Sequence, residues 1–369
     1  MKIGFDAKRL FLNNTGLGNY SRTLVRNLQF YFPEHQYFLF TPAIDRNSET
    51  QYFIDNPDFQ IITPRRKSVL WRQWGINNDI RNIGLDIYHG LSHELPLGQK
   101  PAMTKHLVTI HDLIFELYPQ YYSYIDRKLY SFKYRMSAEK ADHIVTISKN
   151  TAKDVSEIWD IPQSKITTMY QACHPIIIEQ ERYQTEKKHF LYVGSITERK
   201  NLVHVIKALR LFPPEERKPL IVIGSGREYR VKVESLIKKL NLSSWISFKG
   251  QIDNDKLIDY YDSAIALLYP SQYEGFGIPI IEAAFRKIPV ITSLTSSMPE
   301  AGGPHSFYVN PEDERELYNQ MILIIKNQKL VRDRVEKTYT YVKNEFDPLN
   351  QSKKMISLYK KMISDEDFL

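Results

Sequence analysis

Short apolar runs alternate with amphipathic stretches along nearly the whole chain. Runs at Lys2–Asp6, Tyr37–Phe40, Ile61–Ile62, Ile87–His89, Leu107–His111 and His143–Ile147 read as strands. Helical spacing fills the intervals, as at Tyr20–Leu28 and Arg127–Lys140. Strands separated in this way pair in parallel through crossover helices, and the expected result is a doubly wound sheet. The pattern lapses over 171–189, QACHPIIIEQERYQTEKKH, which reads as a linker. A second series then follows at Phe190–Val193, Leu220–Ile223, Trp245–Lys249, Ile265–Leu268 and Pro289–Thr292. The predicted fold is α/β, with two Rossmann-like domains over 1–172 and 173–346, a cleft between them, and ligands beyond the carboxyl ends of the strands. Residues 347–369 carry Leu349, Met355, Ile356, Leu358, Tyr359 and Met362 at helical spacing. This last helix is expected to pack back toward the first domain, with plain packing on the second as the simpler alternative.

Composition narrows the classes. At 369 residues the chain exceeds what one core usually organises, and 42% hydrophobic with 25% charged residues is ordinary globular usage. No window reaches the run of about 18 apolar residues that a membrane span needs. The opening MKIGFDAKRL enters a strand pattern directly and lacks the apolar core of a signal peptide. A single cysteine, Cys173, leaves no internal disulfide and fits a reducing compartment, so the expected location is the cytoplasm, extending to the inner face of the plasma membrane. The formal charge of +7 is spread evenly over the two halves. No basic arm announces nucleic acid, while an anionic substrate or lipid surface stays compatible.

The sharpest chemical signal is PSQYEGFGIPIIEAAFRKIPVITS, residues 270–293. A loop with Glu274, Gly275 and Gly277 enters a helix whose first turn holds Pro279, a position that proline favours. Glycines let backbone N–H groups approach a ligand closely, and a helix N-terminus adds positive potential. Glu274 lies in the loop ahead of the helix, and Glu282 lies one turn inside it. The two carboxylates read as acceptors for sugar hydroxyls. Arg199 and Lys200 stand together at a helix start, after the strand ending at Val193. Gly16-Leu17-Gly18 before the first helix lacks the third glycine of a dinucleotide fingerprint, which weakens an oxidoreductase reading.

The 270–293 block resembles the E-x7-E signature of the group 1 retaining glycosyltransferases, whose GT-B fold is two facing Rossmann-like domains. The resemblance extends to TGLGNYSRTLVRNL, VTIHDLIFELYP, VTISKNTAKDV, LYVGSITERKNL and SSMPEAGG, in the family's order. It implies that Glu274 contacts donor-sugar hydroxyls and Glu282 the ribose. It implies further that backbone N–H groups at Phe276, Gly277 and Ile278 face the sugar and diphosphate. Arg199 and Lys200 are then the cations that neutralise the departing diphosphate. Ser195 follows Gly194 where many relatives have an arginine, which concentrates that role on the pair. His111 is implied to lie against the donor sugar, with Asp112 capping, orienting or reacting beside it. Gly16 and Gly18 are implied near the diphosphate and acceptor, and Gly250 near the base. Ser148, Glu300 and Gly302–Gly303 read as caps and tight turns.

The reaction implied is hexosyl transfer with retention from a UDP- or GDP-sugar to a saccharide or lipid-linked saccharide in cell-surface polysaccharide biosynthesis. It is expected to proceed by front-face displacement and without cofactor or metal, because no metal-ligand cluster or Asp-x-Asp loop occurs. PRRKSVLWRQW, residues 64–74, interleaves Arg65, Arg66, Lys67 and Arg72 with Trp71 and Trp74. That mixture suits peripheral contact with an anionic membrane, and an ordinary amphipathic helix with inward tryptophans is the alternative. Competing functions are a GT-B nucleotide-sugar epimerase, which would lack the EGFGIPIIE block, and a silent partner in a polysaccharide assembly complex. A phosphorylase would be far longer.

Overall fold

The computed structural model describes residues 1–64, 70–181 and 185–364. They form two compact units, one of residues 1–172 together with the chain from Phe346 onward, the other of Cys173–Glu345.

The first unit is built on seven parallel strands: β1 (Lys2–Asp6), β2 (Gln36–Phe40), β3 (Phe59–Ile62), β4 (Ile87–Gly90), β5 (Lys105–Ile110), β6 (His143–Thr146) and β7 (Ile166–Thr168). Their order is β3-β2-β1-β4-β5-β6-β7, so the winding reverses between β1 and β4. Buried strands of this kind read as continuous apolar runs because helices cover both faces. On one face Phe38, Phe40, Tyr88, Val108, Ile110 and Ile144 pack with Ile76, Ile80, Tyr134, Ala138, Val155 and Trp159 from helices.

The second unit repeats the plan with β8 (His189–Val193), β9 (Leu220–Ile223), β10 (Ile246–Gly250), β11 (Ala264–Tyr269), β12 (Val290–Ser293) and β13 (Phe307–Val309). The order β10-β9-β8-β11-β12-β13 places its reversal between β8 and β11. Phe190, Tyr192, Val222 and Leu268 meet Leu202, Val205, Ile206, Leu209, Val233 and Met321 in its core. Two edge strands, β7 and β13, escape the sequence reading. Each has only three residues, too few for a period to show.

The segment predicted as a linker is more ordered than its pattern suggests. His174 caps a short helix, Pro175–Glu179, with Pro175 in its first turn. Arg286 then ties this stretch to the second unit by donating to the carbonyls of Ile177, Gln180 and Glu181, while its guanidinium pairs with the buried Asp262.

The final helix, Pro348–Ser364, packs on helix Gly16–Tyr31 of the first unit. Its Tyr359 hydroxyl reaches His89 Nδ1 at 2.7 Å, His89 Nε2 meets Thr109 Oγ1 at 2.8 Å, and Tyr20 closes the chain on Thr109 at 3.0 Å. Among the described residues no helix is long and apolar enough to cross a membrane.

Candidate functional site

Because the second sheet reverses between β8 and β11, the loops leaving these two strands lie side by side at their carboxyl ends, where open α/β sheets bind ligands. The loop after β8 carries Arg199 and Lys200 on a short 3₁₀ turn, Glu198–Lys200. The loop after β11 carries Glu274. Arg199 Nη1 lies 2.8 Å from Glu274 Oε2, and Lys200 Nζ lies 2.7 Å from Oε1. Ser271 Oγ donates to the same Oε1 at 2.9 Å, and Lys200 also reaches the Tyr269 hydroxyl at 2.6 Å. Arg199 further donates to the carbonyl of Tyr273. Sequence reasoning assigns these three residues to different parts of a ligand. The structure joins them in one ionic cluster, with Glu274 buried and Arg199 and Lys200 half-buried.

Burial alone would raise the Glu274 carboxyl, but Arg199 and Lys200 overcome it and hold it at about 2. Burial lowers Lys200, with the carboxylate opposing and Arg199 assisting. Two cations against one carboxylate leave the cluster with a net positive charge. An isolated buried charge would be unstable; here the carboxylate supports the charged form of Lys200, and both cations keep the carboxylate ionised.

The backbone of the loop is held from below. Ser297 Oγ donates to the carbonyls of Glu274 and Phe276 at 2.8 and 3.0 Å, and the Glu274 N–H donates to Ser296 Oγ at 3.0 Å. Thr295 Oγ1 donates to the Gln272 carbonyl at 3.0 Å. Sequence reasoning misses Tyr269, Ser271, Ser296 and Ser297. The Thr-Ser-Ser run before Met298 is the signal for Ser296 and Ser297, and Ser271 lies within the 270–293 block. Gly277 caps helix Ile278–Phe285 with φ of 117°, a conformation that L side chains avoid. Phe276 is buried and Ile278 partly buried as the chain enters that helix. At Gly194, φ is 142°, and a Cβ there would lie 3.3 Å from Lys200 Cδ and Nζ. A side chain at this point would crowd the cation.

Glu282 has other company. It is buried in helix Ile278–Phe285, where the Tyr261 hydroxyl donates to its Oε2 at 2.7 Å. Burial pushes its carboxyl up to about 7, against the pull of that hydrogen bond. The two glutamates therefore sit in opposite electrostatic settings. Gly250 ends β10 with φ of 69°, and its carbonyl accepts from the Gly224 N–H at 2.7 Å.

The remaining expected residues belong to the first unit. His111 follows β5 and is buried, its ring meeting Tyr20 edge-on at 4.6 Å. Nε2 lies 2.8 Å from the Leu91 carbonyl, which only accepts, so Nε2 carries the proton and Nδ1 is left as an acceptor. Burial, then His93, push His111 down to about 3, so the ring is neutral. Asp112 Oδ1 accepts from the Ile114 N–H at 3.1 Å, a capping role. Gly16 opens helix Gly16–Tyr31, and a Cβ on Gly18 would lie 1.7 Å from the Asn13 carbonyl oxygen. Ser148 caps helix Lys149–Trp159, and Gly303 ends helix Met298–Gly302, in accord with their structural reading.

The basic-aromatic segment is corrected in part. Arg65, Arg66 and Lys67 lie outside the described residues. Trp71 is buried, its Nε1 donating to Asp79 at 2.7 Å. Arg72 pairs internally with Asp6 at 2.6 Å and Glu94 at 2.7 Å. These two side chains satisfy the protein's own acids and are withdrawn from any lipid surface, while Trp74 stays exposed. Among the described residues no group of three or more His, Cys, Asp or Glu is placed to hold a metal ion.

Comparison with known proteins gives the family and the fold. The profile of the family described as Glycosyl transferases group 1 matches residues 174–341, and that of Glycosyltransferase Family 4 matches residues 14–174. The O-antigen chain mannosyltransferase B of Escherichia coli is 27% identical over 352 residues, covering 85% of this chain and 87% of that protein. The O-antigen chain mannosyltransferase RfbU of Salmonella typhimurium is 27% identical over 252 residues, covering 68% and 69%. Among solved structures, HepE of Anabaena in complex with UDP and glucose has a TM-score of 0.76 at 13% identity, covering 98% of this chain and 100% of that one. WaaG, a glycosyltransferase involved in lipopolysaccharide biosynthesis, has a TM-score of 0.72 at 17% identity, covering 97% and 99%.

Proposed function

The chain belongs to the group 1 glycosyltransferases of GT-B fold, and from that premise we propose that it moves a hexosyl unit from a nucleotide-diphosphate sugar to a saccharide or lipid-linked saccharide, with retention and without a metal ion. The observation that carries the proposal is the Arg199–Lys200–Glu274 cluster at the reversal of the second sheet, with its carboxylate buried and its cations half-buried. In this reading Arg199 and Lys200 receive the diphosphate and Glu274 a sugar hydroxyl. The ribose reaches Glu282, the base lies by Gly250, and backbone at Phe276, Gly277 and Ile278 lines the sugar-diphosphate, with Gly194 keeping Lys200 clear.

Positive charge already fixed at the leaving group needs no reorganisation as the bond breaks, and preorganised electrostatics of this kind often contribute more to catalysis than any other effect. Retention follows a front-face route. The bond from the anomeric carbon to the phosphate oxygen breaks as the acceptor oxygen bonds to the same face, and the acceptor's proton passes to the departing phosphate oxygen. Arg199 and Lys200 supply the charge that a divalent ion supplies elsewhere. The relatives are named as O-antigen mannosyltransferases, so mannosyl transfer into a cell-surface polysaccharide is the first specificity to test. Cys173 is a free, buried thiol, which suits a reducing compartment such as the cytoplasm.

The test is nucleotide release with UDP-, GDP- and dTDP-sugars, after a thermal-shift screen in which a donor at 100 times its Kd adds about 2.7 kcal/mol. Lys200→Ala and Glu274→Ala are each expected to lower turnover by about 10²- to 10³-fold while leaving far-UV circular dichroism unchanged. Rates like those of the unmodified protein in both variants would overturn the assignment.

A further inference from the structure

The first sheet has its own reversal, between β1 and β4, and the residues that leave those strands are not accounted for by the donor chemistry above. Lys8 and Arg9 follow β1, and His93 follows β4. Arg9 is half-buried, and its guanidinium has no ion pair or hydrogen bond among the described residues. The nearby acids are spoken for, since Asp6 and Glu94 are both paired with Arg72 at 2.6 and 2.7 Å. Lys8, Arg9, Arg72 and Lys133 against Asp6, Glu94 and Asp112 leave this point with one uncompensated positive charge, as at the reversal of the second sheet.

His93 is the second observation. It is only 6% exposed, and its Nδ1 is sealed from solvent without a hydrogen-bond partner. Its backbone is left-handed, with φ of 62°, a conformation that costs a non-glycine residue free energy and clusters at functional sites. The ring is fixed by stacking on Tyr134 at 4.6 Å and by His111 at 5.2 Å. Burial and then the charge of Arg9 push His93 down to about 3, so the imidazole is neutral with one proton to place. A proton on sealed Nδ1 would be a buried donor with nothing to meet, so the proton sits on Nε2, the nitrogen that is not sealed. Arg9 also acts on Tyr134, whose hydroxyl has no hydrogen-bond partner among the described residues.

A half-buried guanidinium, an imidazole N–H and a phenol are three donors with no acceptor of their own. We propose that Arg9, His93 and Tyr134 form a subsite for an anionic group, phosphate or carboxylate, on the acceptor saccharide. Arg9 provides the charge-assisted fork that such oxyanions fit. His93 and Tyr134 donate to the remaining oxygens. This deepens the transferase reading by stating that the acceptor is acidic or phosphorylated at the position that docks here.

The test uses the full chain with three probes: glucose 1-phosphate, glucuronate and uncharged methyl glucoside. Site-resolved readout comes from the imidazole nitrogen resonances of His93 and His111, assigned with single-histidine variants. One or both anionic probes should shift His93 saturably and methyl glucoside should not, and the responding probe identifies the anion. Arg9→Gln should weaken that response about tenfold, and so should His93→Asn, read at His111, since asparagine tolerates the left-handed backbone. Affinity for UDP or GDP, measured by calorimetry, should be unchanged in both variants. Unshifted His93, an equal response in Arg9→Gln, or a parallel loss of nucleotide affinity each overturns the subsite. Failure of the transferase reading would instead appear as no nucleotide binding by the unmodified chain.

Discussion

Glu282 shows how one side chain can tie binding to pH. Its carboxyl is raised by burial to about 7 in the folded chain, above the ordinary carboxylate value. The folded state therefore holds this proton more tightly than the unfolded chain does. The associated stability is fully present below about pH 4.5 and is lost as pH rises through about 7, a difference on the order of 3 kcal/mol. Glu282→Gln should remove that dependence, so the variant should melt higher than the unmodified protein at pH 8 and close to it at pH 5. In the proposed role, ribose hydroxyls donate to the carboxylate and favour its ionised form. Nucleotide binding near pH 6.5 should then release a proton, detectable by calorimetry in buffers of different ionisation enthalpy, and the Gln variant should release none. Glu274 runs the opposite way. Held at about 2, it contributes stability above the usual carboxylate range that is lost only as pH falls through about 2, so the Glu274 carboxylate stays ionised across the physiological range.

At the scale of elements, the loop between β11 and its helix depends on a hydroxyl ladder and one glycine. Ser297→Ala removes two hydrogen bonds to the carbonyls of Glu274 and Phe276 and leaves those acceptors buried, at a cost of about 1–3 kcal/mol. Because the loop backbone positions Glu274, turnover should fall more than the melting temperature suggests. A Ser297→Thr variant, which keeps the hydroxyl, should recover activity. Gly277→Ala places a Cβ on a residue with φ of 117°, with Ile280 Cδ1 at 3.0 Å, and should destabilise the chain by about 1–2 kcal/mol.

Elements of this kind also show what is legible beforehand. Long parallel strands buried on both faces, such as β5 and β11, announce themselves as apolar runs, and their alternation with helices points to the doubly wound class. Glu274, Arg199 and Lys200 stand out because a rare residue combination sits between a strand and a helix. Their mutual pairing is not legible, since it depends on β8 and β11 being neighbours across a reversal that no local pattern encodes. Trp71 and Arg72 are left open between a surface and an inward reading for the same reason. Their partners, Asp79, Asp6 and Glu94, come from other elements, and two of the three are distant in sequence. His93 gives no signal, because a left-handed backbone and a sealed nitrogen are properties of the folded chain alone.

At the scale of the whole molecule, the first unit is discontinuous. Helix Pro348–Ser364 supplies Tyr359 to His89 and covers helix Gly16–Tyr31, although the entire second unit separates it in sequence from the rest of its own unit. Removing residues 346–369 should destabilise the first unit selectively. Hydrogen exchange at β4 and β5 should accelerate, while the strands next to Glu274 and Lys200 stay protected. Equal exposure of both units would contradict this independence.

That discontinuity has a consequence for biosynthesis. A ribosome adding about 5–20 residues per second finishes β1 to β7 many seconds before the helix that must cover them is made. During that interval Tyr20, His89 and the apolar flank of helix Gly16–Tyr31 wait uncovered, a surface suited to holdase chaperones. A stall or premature stop within the second unit's coding region would leave the nascent amino-terminal unit unfinished, so truncated products should appear in inclusion bodies or be degraded.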